Sequence, residues 1–182
     1  MKRFLACMLL TLALLASTAI GVSAASTTET FELHLEQPNI SRAPNGDQIA
    51  VTSGEGSTFS VHPKSVNASG TFTHTDSNGN VLGSGTWTAT QLLTYQSYGC
   101  GVVVSEGVVL PPNFCGGMLK LRVLLSVGGQ QYPGILTVFC IIGPKAPASH
   151  DEPDGEGIHL VVPGVANFNK IVSGMNVYIR TS

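Results

Sequence analysis

The chain has little charge, and no cluster of positive charge. Only 11% of its 182 residues are Asp, Glu, Lys or Arg, and no run of Lys or Arg occurs in it. Nucleic-acid binding requires a basic surface that neutralises phosphates, and attachment to anionic lipid requires a similar surface. The sequence therefore predicts no nucleic-acid partner and no electrostatic docking on membranes.

The common catalytic and cofactor motifs are also missing. The sequence contains no Gly-x-Ser-x-Gly nucleophile elbow, no Cys-x-x-Cys, no His-Glu-x-x-His and no glycine-rich phosphate loop. Each of these motifs places a nucleophile, a metal or a phosphate in a fixed local geometry. From their absence we predict no cofactor, and we favour a protein that is not an enzyme.

Helical periodicity is the third absence. Apolar residues seldom recur at intervals of three or four, whereas Val, Ile, Thr and aromatic residues are frequent and Gly and Pro interrupt the chain. This pattern predicts an all-β domain over residues 26–182, with about nine or ten short antiparallel strands in a β-barrel or a β-sandwich. Residues 37–47 are predicted to be a loop from their composition.

The first 25 residues have the three zones of a secretory signal peptide. Lys2 and Arg3 precede an apolar stretch over residues 5–20, and small side chains follow at 22–24. The apolar stretch is short for a membrane span of about 20 residues. We therefore expect a cleaved signal over residues 1–25 and no transmembrane segment after cleavage. The expected location is extracellular, or periplasmic or cell-surface in a bacterium.

Three cysteines remain once Cys7 leaves with the signal peptide. Cys100 and Cys115 bracket a segment rich in Gly, Val and Pro, and we predict a disulfide between them. Closing a loop of about 15 residues is worth about 3 kcal/mol in the chain-entropy model. Cys140 lies in an apolar strand as a free thiol, and Cys100–Cys140 is the alternative pairing.

A β-hairpin is predicted over residues 69–90. Two β-prone runs are joined through Asn78-Gly79, a dipeptide typical of two-residue hairpin turns because both residues tolerate positive φ. Such a turn places Phe72 opposite Gly85 and His74 opposite Gly83. One face of this hairpin is then aromatic and glycine-rich, and the other carries threonines.

The aromatic face supplies the candidate binding residues Phe72, His74 and Trp87. If the sheet curves into a cup, these side chains line it, and Trp87 offers a stacking surface for a ring or a sugar. A histidine on an apolar face is more often a hydrogen-bonded core residue than a ligand or a base. An enzyme at this place would use His74 with a nearby carboxylate such as Asp76.

Two polar segments contain candidate functional residues. Residues 150–157 contain Asp151, Asp154 and Glu156, which are candidate calcium ligands, although the regular spacing of a calcium loop is absent and a solvated turn is favoured. Residues 30–36 alternate, so one face carries Glu32, His34 and Glu36. We predict this face to be the solvated side of an edge strand.

Two Asn-x-Ser triplets, at Asn39 and Asn67, are N-glycosylation sites if the host is eukaryotic. Both fall in predicted loops or strand ends.

The leading prediction is thus a secreted, non-enzymatic β-domain that binds a small molecule, a glycan or a surface partner. The first alternative is a barrel-type enzyme, an isomerase or hydrolase, with His74 in its pocket. The second is a structural or assembly module that uses apolar segments such as residues 101–110.

Overall fold

The computed structural model describes residues 27–101, 104–105, 108–147 and 155–182, and these residues contain no helix. The all-β fold is therefore confirmed. No described segment forms an apolar helix of membrane-spanning length. The strands are β1 Glu29–Leu35, β2 Asn39–Arg42, β3 Gln48–Val51, β4 Thr58–Val61, β5 Ser65–Asn67, β6 Ser69–Thr75, β7 Val81–Cys100, β8 Val104–Ser105, β9 Val108–Val109, β10 Phe114–Val127, β11 Gln130–Cys140, β12 Gly157–Val162, β13 Ala166–Phe168, β14 Lys170–Ser173 and β15 Asn176–Arg180.

Thirteen of these strands form one antiparallel sheet that curls strongly into a half-barrel. Its hydrogen-bonded order is β14-β2-β3-β6-β7-β10-β15-β1-β4-β5, and a branch continues from β10 through β11 and β12 to β13. The curl brings β12 against β2 and β14. Three register shifts between β7 and β10 add to the bending, because bulges increase the local twist of a strand.

The described strands exceed the nine or ten that we predicted, because long-range pairing creates strands in segments that look like loops. Residues 37–47 were predicted to be a loop, yet β2 lies within them and pairs with both β3 and β14. Backbone hydrogen bonds on both sides outweigh the loop-like composition of this segment. Of the predicted strand at residues 101–110, the structure describes two short strands, β8 and β9, which pair with each other.

The register of the β6–β7 hairpin is as predicted. Phe72 lies opposite Gly85, and His74 lies opposite Gly83. The ring of Phe72 is 3.2 Å from the place where a Cβ on Gly85 would stand, so the ring covers the missing side chain. Phe72 and Trp87 are buried in the core, so the aromatic face is the inner face of the half-barrel.

The predicted two-residue turn of this hairpin is wrong. Asp76 and Asn80 close a longer loop, in which the Asp76 N–H donates to the Asn80 carbonyl at 2.9 Å. Gly79 within the loop has φ of 86°, a left-handed conformation that glycine adopts without strain. A register shift between His74 and Thr75 compensates for the longer loop, so the pairs farther along are preserved.

Four aromatic side chains pack together in the core, and we call them the aromatic cluster: Phe31, Phe59, Tyr95 and Tyr178. Phe31 and Phe59 stack with ring centroids 5.0 Å apart, and Tyr178 meets Phe59 edge-on at 5.5 Å. The hydroxyl of Tyr178 donates to the Val138 carbonyl at 2.9 Å. The cluster is thus closely packed, and the buried Tyr178 hydroxyl has a partner.

The predicted disulfide is confirmed, because Cys100 and Cys115 are bonded across β7 and β10. Cys115 also pairs with Tyr178 of β15, so the disulfide adjoins the aromatic cluster. Cys140 is a free thiol and is fully buried, as expected for a cysteine in an apolar strand. Burial raises the pKa of this thiol to about 12.

Candidate functional site

An open apolar pocket lies at one end of the half-barrel, where the β6–β7, β10–β11 and β12–β13 connections come together. We call it the mouth pocket, and its volume is about 190 Å³. Its floor is formed by the buried side chains of Ile49, Phe72, Leu125 and Phe168. His74 and Gly83 also line it.

The rim of the mouth pocket is apolar and exposed to solvent. Leu82, Tyr132 and Val165 have 57%, 37% and 53% of their surface exposed, and each belongs to a different hairpin. Soluble proteins seldom group large exposed apolar side chains around a concave surface unless something binds there. The mouth pocket is therefore the candidate functional site.

One wall of the mouth pocket carries an imidazole beside a carboxylate. His74 Nε2 is 3.4 Å from Asp47 Oδ2, and both side chains are more than four-fifths buried. The separation allows an ion pair, but the atoms are not aligned for a hydrogen bond, so Nε2 is buried with no hydrogen-bond partner in the described part of the chain. Phe168 meets the His74 ring edge-on at 5.2 Å and restrains its orientation.

Asp47 reaches His74 because of the turn that precedes β3. The Ala43 N–H donates to the Asp47 carbonyl at 2.8 Å, and the Asp47 N–H donates to Asn45 Oδ1 at 3.2 Å. The pairing of β3 with β6 then brings the start of β3 beside the end of β6. The sequence analysis did not select Asp47, although its Asn-Gly-Asp sequence is typical of a turn before a strand.

Asp76, the carboxylate suggested for the enzyme alternative, has a different role. It accepts hydrogen bonds from the Asn78 N–H, the Asn80 N–H and the Asn80 side-chain amide, each at 2.8 Å. These bonds, chiefly those from Asn80, lower the pKa of Asp76. Asp76 therefore holds the hairpin loop together, and Asp47 is the carboxylate beside His74.

Of the three predicted binding residues, Phe72 and His74 line the mouth pocket and Trp87 does not. Trp87 is buried in the core, where its indole N–H donates to the Thr52 carbonyl at 2.8 Å. Phe72 and Leu125 line the mouth pocket and also border Trp87. The only tryptophan of the chain is thus a buried neighbour of the site rather than a stacking surface.

A second, polar groove runs along β1 and has a volume of about 590 Å³. His34 lies in it with Nε2 3.1 Å from Glu32 Oε2 and Nδ1 3.9 Å from Glu36 Oε1. These side chains are more than two-fifths exposed, as predicted, but β1 is not an edge strand because β15 and β4 flank it. Among the described residues, no three His, Cys, Asp or Glu side chains form a group that could hold a metal.

Glu156 is the one calcium candidate among the described residues, since Asp151 and Asp154 lie outside them. Its carboxylate accepts a hydrogen bond from the Asn176 N–H at 2.6 Å and links the start of β12 to β15. Burial raises the pKa of Glu156 above its ordinary value, although hydrogen bonds from Asn176 and Ile141 oppose the rise.

The two glycosylation candidates differ in accessibility. Asn39 is 0% exposed, and its side-chain amide donates to the Gln37 carbonyl at 3.0 Å. Asn67 is exposed at the end of β5. The predicted signal peptide, residues 1–25, lies outside the described residues.

In comparisons with known proteins, the chain matches no family model, no curated protein and no solved structure. The function of the mouth pocket is therefore inferred from the residues that line it.

Proposed function

We propose that the mouth pocket binds a small apolar molecule, and that the protein is an exported β-domain built around this pocket. The observation that carries the proposal is the ring of exposed apolar side chains, Leu82, Tyr132 and Val165, above a buried apolar floor. Covering these groups with an apolar ligand removes their surface from water, at about 25 cal/mol per Å².

The size of the mouth pocket limits the ligand. Sites for drug-sized molecules usually span about 300–1,000 Å³, whereas a cavity of about 150 Å³ holds one benzene ring. At about 190 Å³, the mouth pocket has room for one ring or one short branched chain. A larger ligand would place one such group in the pocket and extend over the rim.

A glycan fits this site less well than an apolar ligand. Among the described residues that line the pocket, His74 and Tyr132 are the only ones whose side chains carry hydrogen-bonding groups. A sugar ring inserted here would leave several of its hydroxyls without partners, and each unsatisfied polar group costs about 1–3 kcal/mol. The lining therefore favours a ligand with one or two polar atoms.

Trp87 fluorescence provides the test, because Phe72 and Leu125 separate this indole from the pocket by a single layer of side chains. We expect saturable fluorescence changes with benzyl alcohol and none with erythritol, a polyol with the same number of non-hydrogen atoms. Val165→Lys, at the rim, should weaken benzyl alcohol binding about tenfold or more, equivalent to about 1.4 kcal/mol.

The matched control for this experiment is Val172→Lys on β14, because Val172 is exposed to a similar extent as the rim residues but lies outside the pocket. If both lysine variants bind benzyl alcohol like the unmodified protein, or if no probe binds, the proposed function is wrong.

Export is supported by the Cys100–Cys115 disulfide, since such bonds persist in oxidising compartments. We expect the protein recovered outside the cytoplasm to begin at residue 26, which N-terminal sequencing would reveal. A recovered chain that still contains residues 1–25 would contradict cleavage of the signal.

In a eukaryotic secretion host, we expect the glycan on Asn67 and none on Asn39, because only Asn67 is exposed. The measurement is the mass shift after glycosidase treatment in Asn67→Gln and Asn39→Gln. A shift that persists in Asn67→Gln and disappears in Asn39→Gln would contradict this assignment.

A further inference from the structure

We infer that His74 can act as a general base toward a molecule held in the mouth pocket, with Asp47 as the residue that positions its ring. This inference adds an activity to the binding proposed above, and it depends on that binding. The protein would then transfer protons to and from a bound carbon acid of about one ring in size.

The orientation of His74 is the first argument. Nε2 faces the Asp47 carboxylate at 3.4 Å and is enclosed by protein, while His74 still lines the pocket. A carboxylate beside one ring nitrogen favours the tautomer with the proton on that nitrogen. Nδ1 is then the nitrogen that has a lone pair available to a ligand.

The loose contact between Asp47 and His74 does not exclude this role. Catalytic hydrogen bonds are often long or poorly aligned in unliganded proteins and shorten when the substrate binds. Phe168, edge-on against the ring, and Ile49, opposite His74 on β3, leave the imidazole little freedom except toward Asp47 or the pocket.

The lining of the mouth pocket narrows the class of reaction. Among the described residues, no Ser, Thr, Cys or Lys side chain lines the pocket, so covalent catalysis by these nucleophiles has no support there. Proton transfer requires only a base and an environment that stabilises the developing anion.

Tyr132 is the other polar side chain of the lining, and its hydroxyl can donate a hydrogen bond to a developing oxyanion. Together, His74 and Tyr132 supply the two groups that the enolisation of a carbonyl compound requires. The remaining walls are apolar, and a carbon acid suits them because its C–H group needs no hydrogen-bond partner.

The step balances without a further reactant. His74 Nδ1 takes a proton from the carbon next to the carbonyl, and the electron pair of that C–H bond becomes a carbon–carbon π bond. The carbonyl π electrons move to oxygen, which accepts the Tyr132 hydrogen bond. Return of the proton to the same carbon or to a conjugated one gives exchange or isomerisation, with no net oxidation.

The probe for this activity is 5-nitrobenzisoxazole, a bicyclic carbon acid that reports on any positioned base; its isoxazole ring would enter the mouth pocket and its nitro group would extend over the rim. Removal of its ring C–H proton forms a nitrile as the N–O bond breaks, and the product is a coloured phenolate. General-base catalysis contributes about 10²–10⁴-fold, so His74→Gln should lower kcat/KM by about 10²-fold or more.

The matched control is His34→Gln, because His34 also lies beside carboxylates but in the polar groove outside the mouth pocket. Its kcat/KM should equal that of the unmodified protein. Tyr132→Phe should reduce kcat less than His74→Gln does, since it removes a donor to the phenolate and leaves the base in place.

Asp47→Asn tests the positioning role separately. It should lower kcat and also change the tautomer of His74, which the ¹⁵N chemical shifts of the ring report. A purely structural role for Asp47 would leave the tautomer unchanged.

The outcomes separate the two proposals. If the probe alters Trp87 fluorescence but His74→Gln retains the full rate, the general base is wrong and the binding pocket stands. The same conclusion follows if the probe binds and is not turned over. If the probe does not bind, and benzyl alcohol does not bind either, both proposals fail.

Discussion

The aromatic cluster and the mouth pocket use similar side chains for opposite purposes. In the aromatic cluster, Phe59 has its centroid within 5.5 Å of three other rings, and its exposure is 1%. In the mouth pocket, Phe72 and Phe168 form the floor of an open volume of about 190 Å³, and Tyr132 stands exposed at the rim. Side chains fill the aromatic cluster, whereas the mouth pocket contains open space.

The neighbouring strands account for this difference. β1, β4 and β15 supply Phe31, Phe59 and Tyr178, so three strands close over the inner face of the sheet at the aromatic cluster. The described residues that line the mouth pocket also lie on strands, apart from Val165, but no further strand covers the exposed rim residues Leu82 and Tyr132. We infer from this comparison that stability is concentrated in the aromatic cluster. The side chains around the mouth pocket therefore need not fill its apolar space.

The largest expected effect tests this division of roles directly. Phe59→Ala should lower the free energy of unfolding by about 3–5 kcal/mol, because a buried ring is lost and a cavity remains. Tyr132→Ala, at the rim, should change it by about 0.5 kcal/mol or less. Urea denaturation measures both, and equal losses would show that the two regions do not differ in this way.

The disulfide offers a second way to test where stability resides, since Cys115 pairs with Tyr178 of the aromatic cluster. Replacing Cys100 and Cys115 by Ala should cost about 3 kcal/mol for a 15-residue separation. Under reducing conditions the replaced and unmodified proteins should become similar in stability.

Cys140→Ala serves as the control for that measurement, because Cys140 is outside the disulfide. Its effect should be the same with and without reductant. A reductant-dependent effect of Cys140→Ala would mean that Cys140 takes part in a disulfide, as the alternative pairing requires.

Sequence reasoning predicted local features and missed features that depend on distant strands. The pairing of Phe72 with Gly85 was predicted from a two-residue turn at Asn78-Gly79, and it holds although the turn is longer, because a register shift between His74 and Thr75 compensates. The contact between Asp47 and His74 depends on β3 pairing with β6, which no local pattern reveals.

Trp87 shows the same limit within a single strand. Alternation correctly assigns it to the inner face, but alternation cannot tell the floor of a pocket from the layer beneath it. That distinction depends on Phe72 and on Leu125, which comes from another strand. The sequence therefore predicts which face is buried, and the curl of the sheet determines which of its residues a ligand can reach.

A third prediction compares alanine substitutions at two glycines, Gly85 beside the core and Gly83 in the lining of the mouth pocket. A Cβ on Gly85 would clash with the Ser126 carbonyl oxygen, so Gly85→Ala should cost about 1–3 kcal/mol as the backbone shifts. A Cβ on Gly83 would meet only Val127 Cγ2, at 3.5 Å. Gly83→Ala should therefore fold normally and, by narrowing the mouth pocket, weaken benzyl alcohol binding; similar unfolding energies for both variants would contradict this.

The smallest expected effect concerns Glu156, which is half-buried beside the start of β12 and hydrogen-bonded to β15. Because burial raises its pKa, the folded protein holds the Glu156 proton more tightly than the unfolded chain does. Its contribution to stability is therefore fully present below the ordinary carboxyl pKa and is lost as pH rises through the raised value.

Glu156→Gln keeps an oxygen for the Asn176 N–H but cannot ionise, so the variant should gain stability relative to the unmodified protein as pH rises from the ordinary carboxyl pKa through the raised pKa of Glu156. Comparing the two proteins at each pH cancels the contributions of other groups. Glu55→Gln, in an exposed loop, should show no such trend. A gap that shrinks with rising pH would mean that the hydrogen bonds to the carboxylate outweigh its desolvation.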